Sequence, residues 1–147
     1  MKKHMITKIL ILSLVVGVLC QWSGGSNAKA ASTKWLYGSV LTKSQGGSSG
    51  CRIKMYYRGG KLIVKGGMRK VKNKFVYDGG KKIKAKTRSY KVAANCKVVE
   101  CEGMEEYAYG IKKYTRERGI KGSKNWAGIS TWIKIVNGKV SKIYLSA

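Results

Sequence analysis

Cys51-Arg52-Ile53-Lys54-Met55-Tyr56-Tyr57-Arg58-Gly59-Gly60-Lys61-Leu62-Ile63-Val64 is the stretch that decides the fold. Cys51, Ile53, Met55 and Tyr57 alternate with Arg52, Lys54, Tyr56 and Arg58, the pattern of a half-buried strand. Gly59-Gly60 supplies the positive φ of a tight hairpin turn, which sends the chain back through Lys61–Val64. The predicted class is therefore a β-hairpin protein.

Working outward, Trp35–Leu41 reads as a first strand with Trp35 and Tyr37 on one face, and Ser44–Gly50 (SQGGSSG) as a flexible loop. A further hairpin is predicted over Arg69–Arg88 around Asp78-Gly79-Gly80. Its register puts Tyr77 opposite Lys81, Phe75 opposite Ile83, Asn73 opposite Ala85 and Val71 opposite Thr87. The other face then carries Lys74 opposite Lys84, Lys72 opposite Lys86 and Lys70 opposite Arg88. Ser89–Ala93 and Lys97–Glu100 continue as short extended pieces.

One helix is predicted, from Met104 to Arg118, with Met104, Tyr107, Ala108, Ile111 and Tyr114 at helical spacing, Gly103 as N-cap and Gly119 as the stop. A closing hairpin spans Trp126–Val136 and Val140–Ser146 around Asn137-Gly138. A two-residue turn would face Ile133 with Lys142. A three-residue turn with a bulge faces Ile133 with Ile143, Thr131 with Leu145 and Trp132 with Tyr144, and it separates apolar from polar better. Six or seven strands, one helix and no proline predict a mainly β fold with one α-helix, a small, curved, OB-like β-barrel of antiparallel hairpins.

Lys2, Lys3 and Lys8, the apolar run Ile9–Leu19, and a polar stretch ending Ala28-Lys29-Ala30 read as a signal peptide cleaved after Ala30. Residues 31–147 then form a single secreted or cell-surface domain. Its charge balance is extreme. Removing Lys2, Lys3, Lys8 and Lys29 leaves 27 Lys+Arg against 6 acids, a net of +21. The only histidine, His4, lies in the leader, which excludes His-based general-base and nucleophile chemistry and most zinc sites. No catalytic residue, metal or cofactor is expected. Of Cys51, Cys96 and Cys101, the pair Cys96–Cys101 is close enough in sequence to be bridged across a turn; buried thiols are the other reading.

Lys61-Leu62-Ile63-Val64-Lys65-Gly66, Tyr90-Lys91-Val92, Asn95-Cys96-Lys97-Val98, Ile111-Lys112-Lys113-Tyr114 and Val136-Asn137-Gly138-Lys139-Val140 resemble segments of small secreted Gram-positive domains of unknown function, some with OB-type barrels. The resemblance implies a fold and an extracellular setting, and no catalytic residues.

Lys70, Lys72, Lys74, Lys82, Lys84, Lys86 and Arg88 form the candidate polyanion-binding stripe. Like charges facing each other across strands are destabilising, and counterion release on a polyanion offsets that repulsion. Tyr90, Trp132 and Tyr144 are the candidate stacking rings. Glu100, Glu102, Glu105 and Glu106 lack the spacing of a calcium loop, and the last two suit a helix N-terminus. The favoured reading is a non-enzymatic cationic module that contacts teichoic acid, acidic glycan or extracellular DNA at the cell envelope. The alternatives are a histidine-free, metal-dependent secreted nuclease and a cationic membrane-active protein.

Overall fold

The structure is a computed structural model that describes residues 29–118 and 124–146. The chain divides into two units, Met1–Ala30 and Ala31–Ala147. The leader lies outside the described residues except for its last two, and so does Gly119, the predicted helix stop.

The second unit runs β1 (Thr33–Gly38), a 3-10 turn (Lys43–Gln45), β2 (Ile53–Arg58), β3 (Lys61–Val71), β4 (Lys82–Glu102), β5 (Glu105–Gly110), α1 (Ile111–Glu117), β6 (Ser130–Val136) and β7 (Lys139–Ser146). Five strands close a ring: β3 pairs with β1, β1 with β6, β6 with β7, β7 with β4, and β4 again with β3. β2 is added beside β3, and β5 beside β4. With one helix between the third and fourth ring strands, this is the mainly β, OB-like barrel expected from the sequence. One part of that expectation is corrected. The β4–β7 seam is parallel, so the barrel is not made of antiparallel hairpins throughout. A parallel pair needs a crossover, and β5, α1 and β6 supply it.

The barrel interior holds Leu36, Ile53, Met55, Leu62, Val64, Met68, Cys96, Val98, Ile133, Val140 and Ile143. Each large aliphatic buried there stabilises the fold by about 1.5–3 kcal/mol. The predicted alternation holds within β2, where Ile53 and Met55 are buried in the main core and Lys54 and Arg58 are exposed; Cys51, before the strand, is buried in a separate cluster with Tyr37 and Trp132. The Gly59-Gly60 turn joins Arg58 to Lys61 with positive φ at both glycines. The closing hairpin has the expected pairs Ile133–Ile143, Thr131–Leu145 and Trp132–Tyr144. Its turn is nevertheless the two residues Asn137-Gly138, and the extra residue is absorbed higher up, at Ser141, where the register shifts.

The hairpin around Asp78 differs most. β3 pairs with β4 through Met68–Ile83 and Arg69–Lys82, and Val71 lies opposite Trp35 of β1 instead of Thr87. Residues 72–81 form a long connection that folds over the outer face of β1 and β6. There Phe75 and Tyr77 pack edge-on against Trp132, both at 5.2 Å between ring centroids. Tyr37, Val71, Val99, Trp132 and Tyr144 thus make a second apolar cluster, partly covered by Val76. Burial of this second face outweighed the in-register hairpin that alternation alone favoured. Phe75 takes a positive φ of 64° to make the fold-over.

The predicted helix is shortened. Glu105–Gly110 forms strand β5, paired with β4 from Glu102–Glu105 to Lys97–Gly110, and the helix starts only at Ile111. Gly103 serves a two-residue turn at φ 62° instead of an N-cap. Glu105 and Glu106 therefore sit on a strand, away from any helix N-terminus.

Candidate functional site

The structure disperses the predicted stripe. Lys70 lies on β3 opposite Leu36 of β1, and Lys72 is exposed on the loop. Lys74 pairs with Glu106 at 2.7 Å, and its ammonium lies 4.8 Å from the Phe75 ring centroid and 4.9 Å from that of Tyr144. The bond to Glu106 raises its pKa.

A bulge between Gly66 and Met68 interrupts the β3–β4 pairing. Ile83, packed against the core, precedes it, and Arg88 and Tyr90 follow it opposite the buried Val64 and Leu62. The shift exchanges which alternate residues face inward, so Lys82 and Lys84 fall on the opposite face from Lys86 and Arg88. Arg88 spends its guanidinium on backbone, donating to the carbonyls of Lys84 (2.5 Å), Gly66 (3.3 Å) and Lys86 (3.3 Å).

The stacking candidates are also corrected. Trp132 is fully buried, and its indole N–H donates to the Val76 carbonyl at 3.1 Å. Tyr144 is buried against Trp35 and Phe75. Tyr90 packs on the main core, and burial raises its pKa. Trp132 and Tyr144 are therefore not free platforms, whereas Tyr90 is half-buried.

Cys96 and Cys101 are both free thiols on the continuous strand β4. Five residues of strand hold their Cα atoms about 16 Å apart and on opposite faces, far beyond the reach of a disulfide. Cys96 points into the main core, and burial pushes its thiol up to about 11.

A different cationic surface is assembled on the outer face of β2, β3 and β4. Cross-strand register sets out three rows: Arg58–Lys61–Lys91, Tyr56–Ile63–Ser89 and Lys54–Lys65–Thr87. The alternate residues Met55, Leu62 and Val64 are buried, which fixes the outward direction of these nine. Lys54, Arg58, Lys61, Lys65, Thr87, Ser89 and Lys91 are exposed; Tyr56 and Ile63 are half-buried, and Tyr56 also packs against the main core. Two cationic rows, about 14 Å apart at ~3.4 Å per residue, flank an apolar one. Lys65 reaches from its own row to the middle one, with its ammonium 5.5 Å from the Tyr56 ring centroid.

No acid neutralises this face. The chain's acids are Asp78, Glu100, Glu102, Glu105, Glu106 and Glu117, so β1, β2 and β3 contain none and β4 none before Glu100. The ion pairs among the described residues join Lys74–Glu106, Lys113–Glu117 and Arg118–Glu100, none on the face. Arg58–Lys61, Lys61–Lys91 and Lys54–Lys65 are like charges directly opposite, each costing a few tenths of a kcal/mol, roughly. The outward set of β2 and its alignment with β3 follow from the alternation and the Gly59-Gly60 turn; the alignment with β4 does not, because the β3–β4 register differs from the predicted 69–88 hairpin.

Elsewhere a cleft of about 360 Å³ is lined by Glu100, Glu102, Tyr114, Arg118 and Trp126 among others. One of its two carboxylates is already engaged. Glu100 accepts from Arg118 and, at 3.0 Å, from the Tyr114 hydroxyl. Burial and Glu100 together push Tyr114 up to about 12. Among the described residues no group of three or more His, Cys, Asp or Glu converges to hold a metal ion, and no helix is long and apolar enough to cross a membrane.

No family model, no curated protein and no solved structure matches the chain.

Proposed function

We propose that the chain is a secreted, non-enzymatic module that binds anionic polymers at the cell envelope through the outer face of β2, β3 and β4. The observation that carries this reading is the acid-free array of Lys54, Arg58, Lys61, Lys65 and Lys91, held in rows on rigid strands around Tyr56 and Ile63. Holding five cations together without counter-charges costs stability, and an anionic polymer offsets that cost by releasing its condensed counterions. The middle row offers a half-exposed ring and an aliphatic side chain, to which the flat face of a sugar or base can be applied. Teichoic acid, acidic glycan and extracellular DNA all carry the required charge. Use of the second and third barrel strands is also usual for OB barrels, a fold-level analogy.

The test is titration of each polymer into the 31–147 protein at several salt concentrations. Binding through five cations gives a log–log slope of roughly −3 to −5. Affinity that does not change with salt, or no binding at low salt, removes the reading.

A further inference from the structure

The outer edge of β5 is open: among the described residues no strand pairs with it. The turn before it is two residues, with Glu102 opposite Glu105, so those two exchange hydrogen bonds and the pattern alternates from there. Glu106 and Ala108 consequently direct their N–H and C=O groups away from β4, and Gly110 its N–H, since the Gly110 carbonyl is the N-cap acceptor of α1.

Natural edges are protected by charged side chains, lysine above all, by proline or by a bulge, and the only charges on β5 are Glu105 and Glu106 at its start. β5, Glu-Glu-Tyr-Ala-Tyr-Gly, has no lysine, arginine or proline in a chain with 31 Lys+Arg, and its pairing with β4 shows no register shift. The charge around it is equally distinctive. Residues 97–118 hold five acids (Glu100, Glu102, Glu105, Glu106, Glu117) and five cations (Lys97, Lys112, Lys113, Arg116, Arg118). The rest of 31–147 holds 22 cations and one acid. With Lys74 also held against Glu106, this pole stays close to neutral, and two copies repel each other least there.

We propose that two copies of the chain pair antiparallel through β5, centred on Ala108. The outward-bonding residues then meet: Ala108 faces Ala108 of the second copy, and Glu106 faces Gly110 of the second copy. Tyr107 lies opposite Tyr109 of the second copy, an aromatic cross-strand pair. The exposed Ala108 is small enough to sit on the two-fold axis. Glu105, which is in none of the ion pairs among the described residues, approaches the second copy's helix near Lys112, so the pairing is charge-complementary there, while Glu106 stays with Lys74. The contact is isologous and closes at two.

Light-scattering mass of the 31–147 protein, from micromolar to about millimolar concentration at ~0.15 M salt without any polymer, tests the pairing independently of polyanion binding. The expected result is a mass that doubles with concentration. Ala108→Lys, which opposes two ammonium groups across the axis, restores the monomer mass at an unchanged unfolding midpoint. Amide exchange of the unsubstituted protein gives a second reading, in which protection of Ala108 and Gly110 rises with concentration. A monomer mass throughout, a dimer unaffected by Ala108→Lys, growth beyond two copies, or no added protection at Ala108 overturns the proposal.

Discussion

A side chain on Gly67 would collide with the carbonyl of Gly50: a Cβ there would lie 1.9 Å from that oxygen. Gly66 is equally constrained, with φ 124° and a Cβ position 2.0 Å from the Arg52 carbonyl oxygen. These contacts seat the bulge that sets the β3–β4 register, and the register aligns the three rows of the cationic face. Gly67→Ala is expected to cost about 3 kcal/mol by forcing the two backbones apart. Gly59→Ala, at φ 56° with open space around it, is expected to cost about 1 kcal/mol. Urea midpoints of the two variants check the difference; equal costs would remove the close approach as the reason for the glycine.

Trp132 joins the 72–81 connection to the barrel through its ring contacts and its bond to the Val76 carbonyl. Trp132→Phe removes the donor and part of the fill, an expected loss of about 2–3 kcal/mol. Amide exchange in residues 72–81 should accelerate more than in β2. Uniform acceleration would show that the connection is not held by this residue.

Cys96 gives the fold an alkaline limit. Its thiol is raised in the folded chain to about 11 from an ordinary 9.0, so between those values the unfolded chain has released a proton that the folded chain retains. The stabilisation is complete below pH 9 and is lost as pH rises towards about 11, roughly 2–3 kcal/mol in all. Tyr114, raised to about 12, acts in the same direction at still higher pH. Stability against urea at pH 8, 9.5 and 11 should fall stepwise, and Cys96→Ala should flatten the first step. An unchanged step would assign it to another group.

Much of the fold was legible because alternation and turn chemistry agree locally. Arg58-Gly59-Gly60-Lys61 and the Ile133–Ile143 register both followed from segregating apolar side chains. The misreadings share a physical origin. Tyr107 and Ala108 satisfy helical spacing with Ile111 and Tyr114, yet β5 forms because the open edge of β4 offers hydrogen bonds that a sequence window does not display. Val71 and Phe75 alternate well with a hairpin partner, yet β1 and Trp132 claim them. The candidate site inherits the second error: Lys72, Lys84 and Lys86 were grouped by an in-register hairpin, whereas Lys61, Lys65 and Lys91 are brought together by the bulged one.

The aromatic row separates two kinds of polymer contact. Tyr56→Ala should weaken binding to ring-bearing polymers, single-stranded DNA or glycan, by roughly 1–3 kcal/mol. It should leave the salt slope unchanged, because the ring carries no charge. A fall in slope without loss of affinity at low salt would show that Tyr56 serves only to position Lys65.

The most direct test compares two double substitutions with the same charge change: Lys61→Ala with Lys65→Ala on the face, and Lys112→Ala with Lys113→Ala on α1. Polymer affinity is measured against salt for both and for the parent chain. The account predicts that the first pair lowers the magnitude of the log–log slope by about 2 and that the second leaves it near the parent value. Equal losses from both pairs would show that net charge alone attracts the polymer, and would contradict a binding face on β2, β3 and β4.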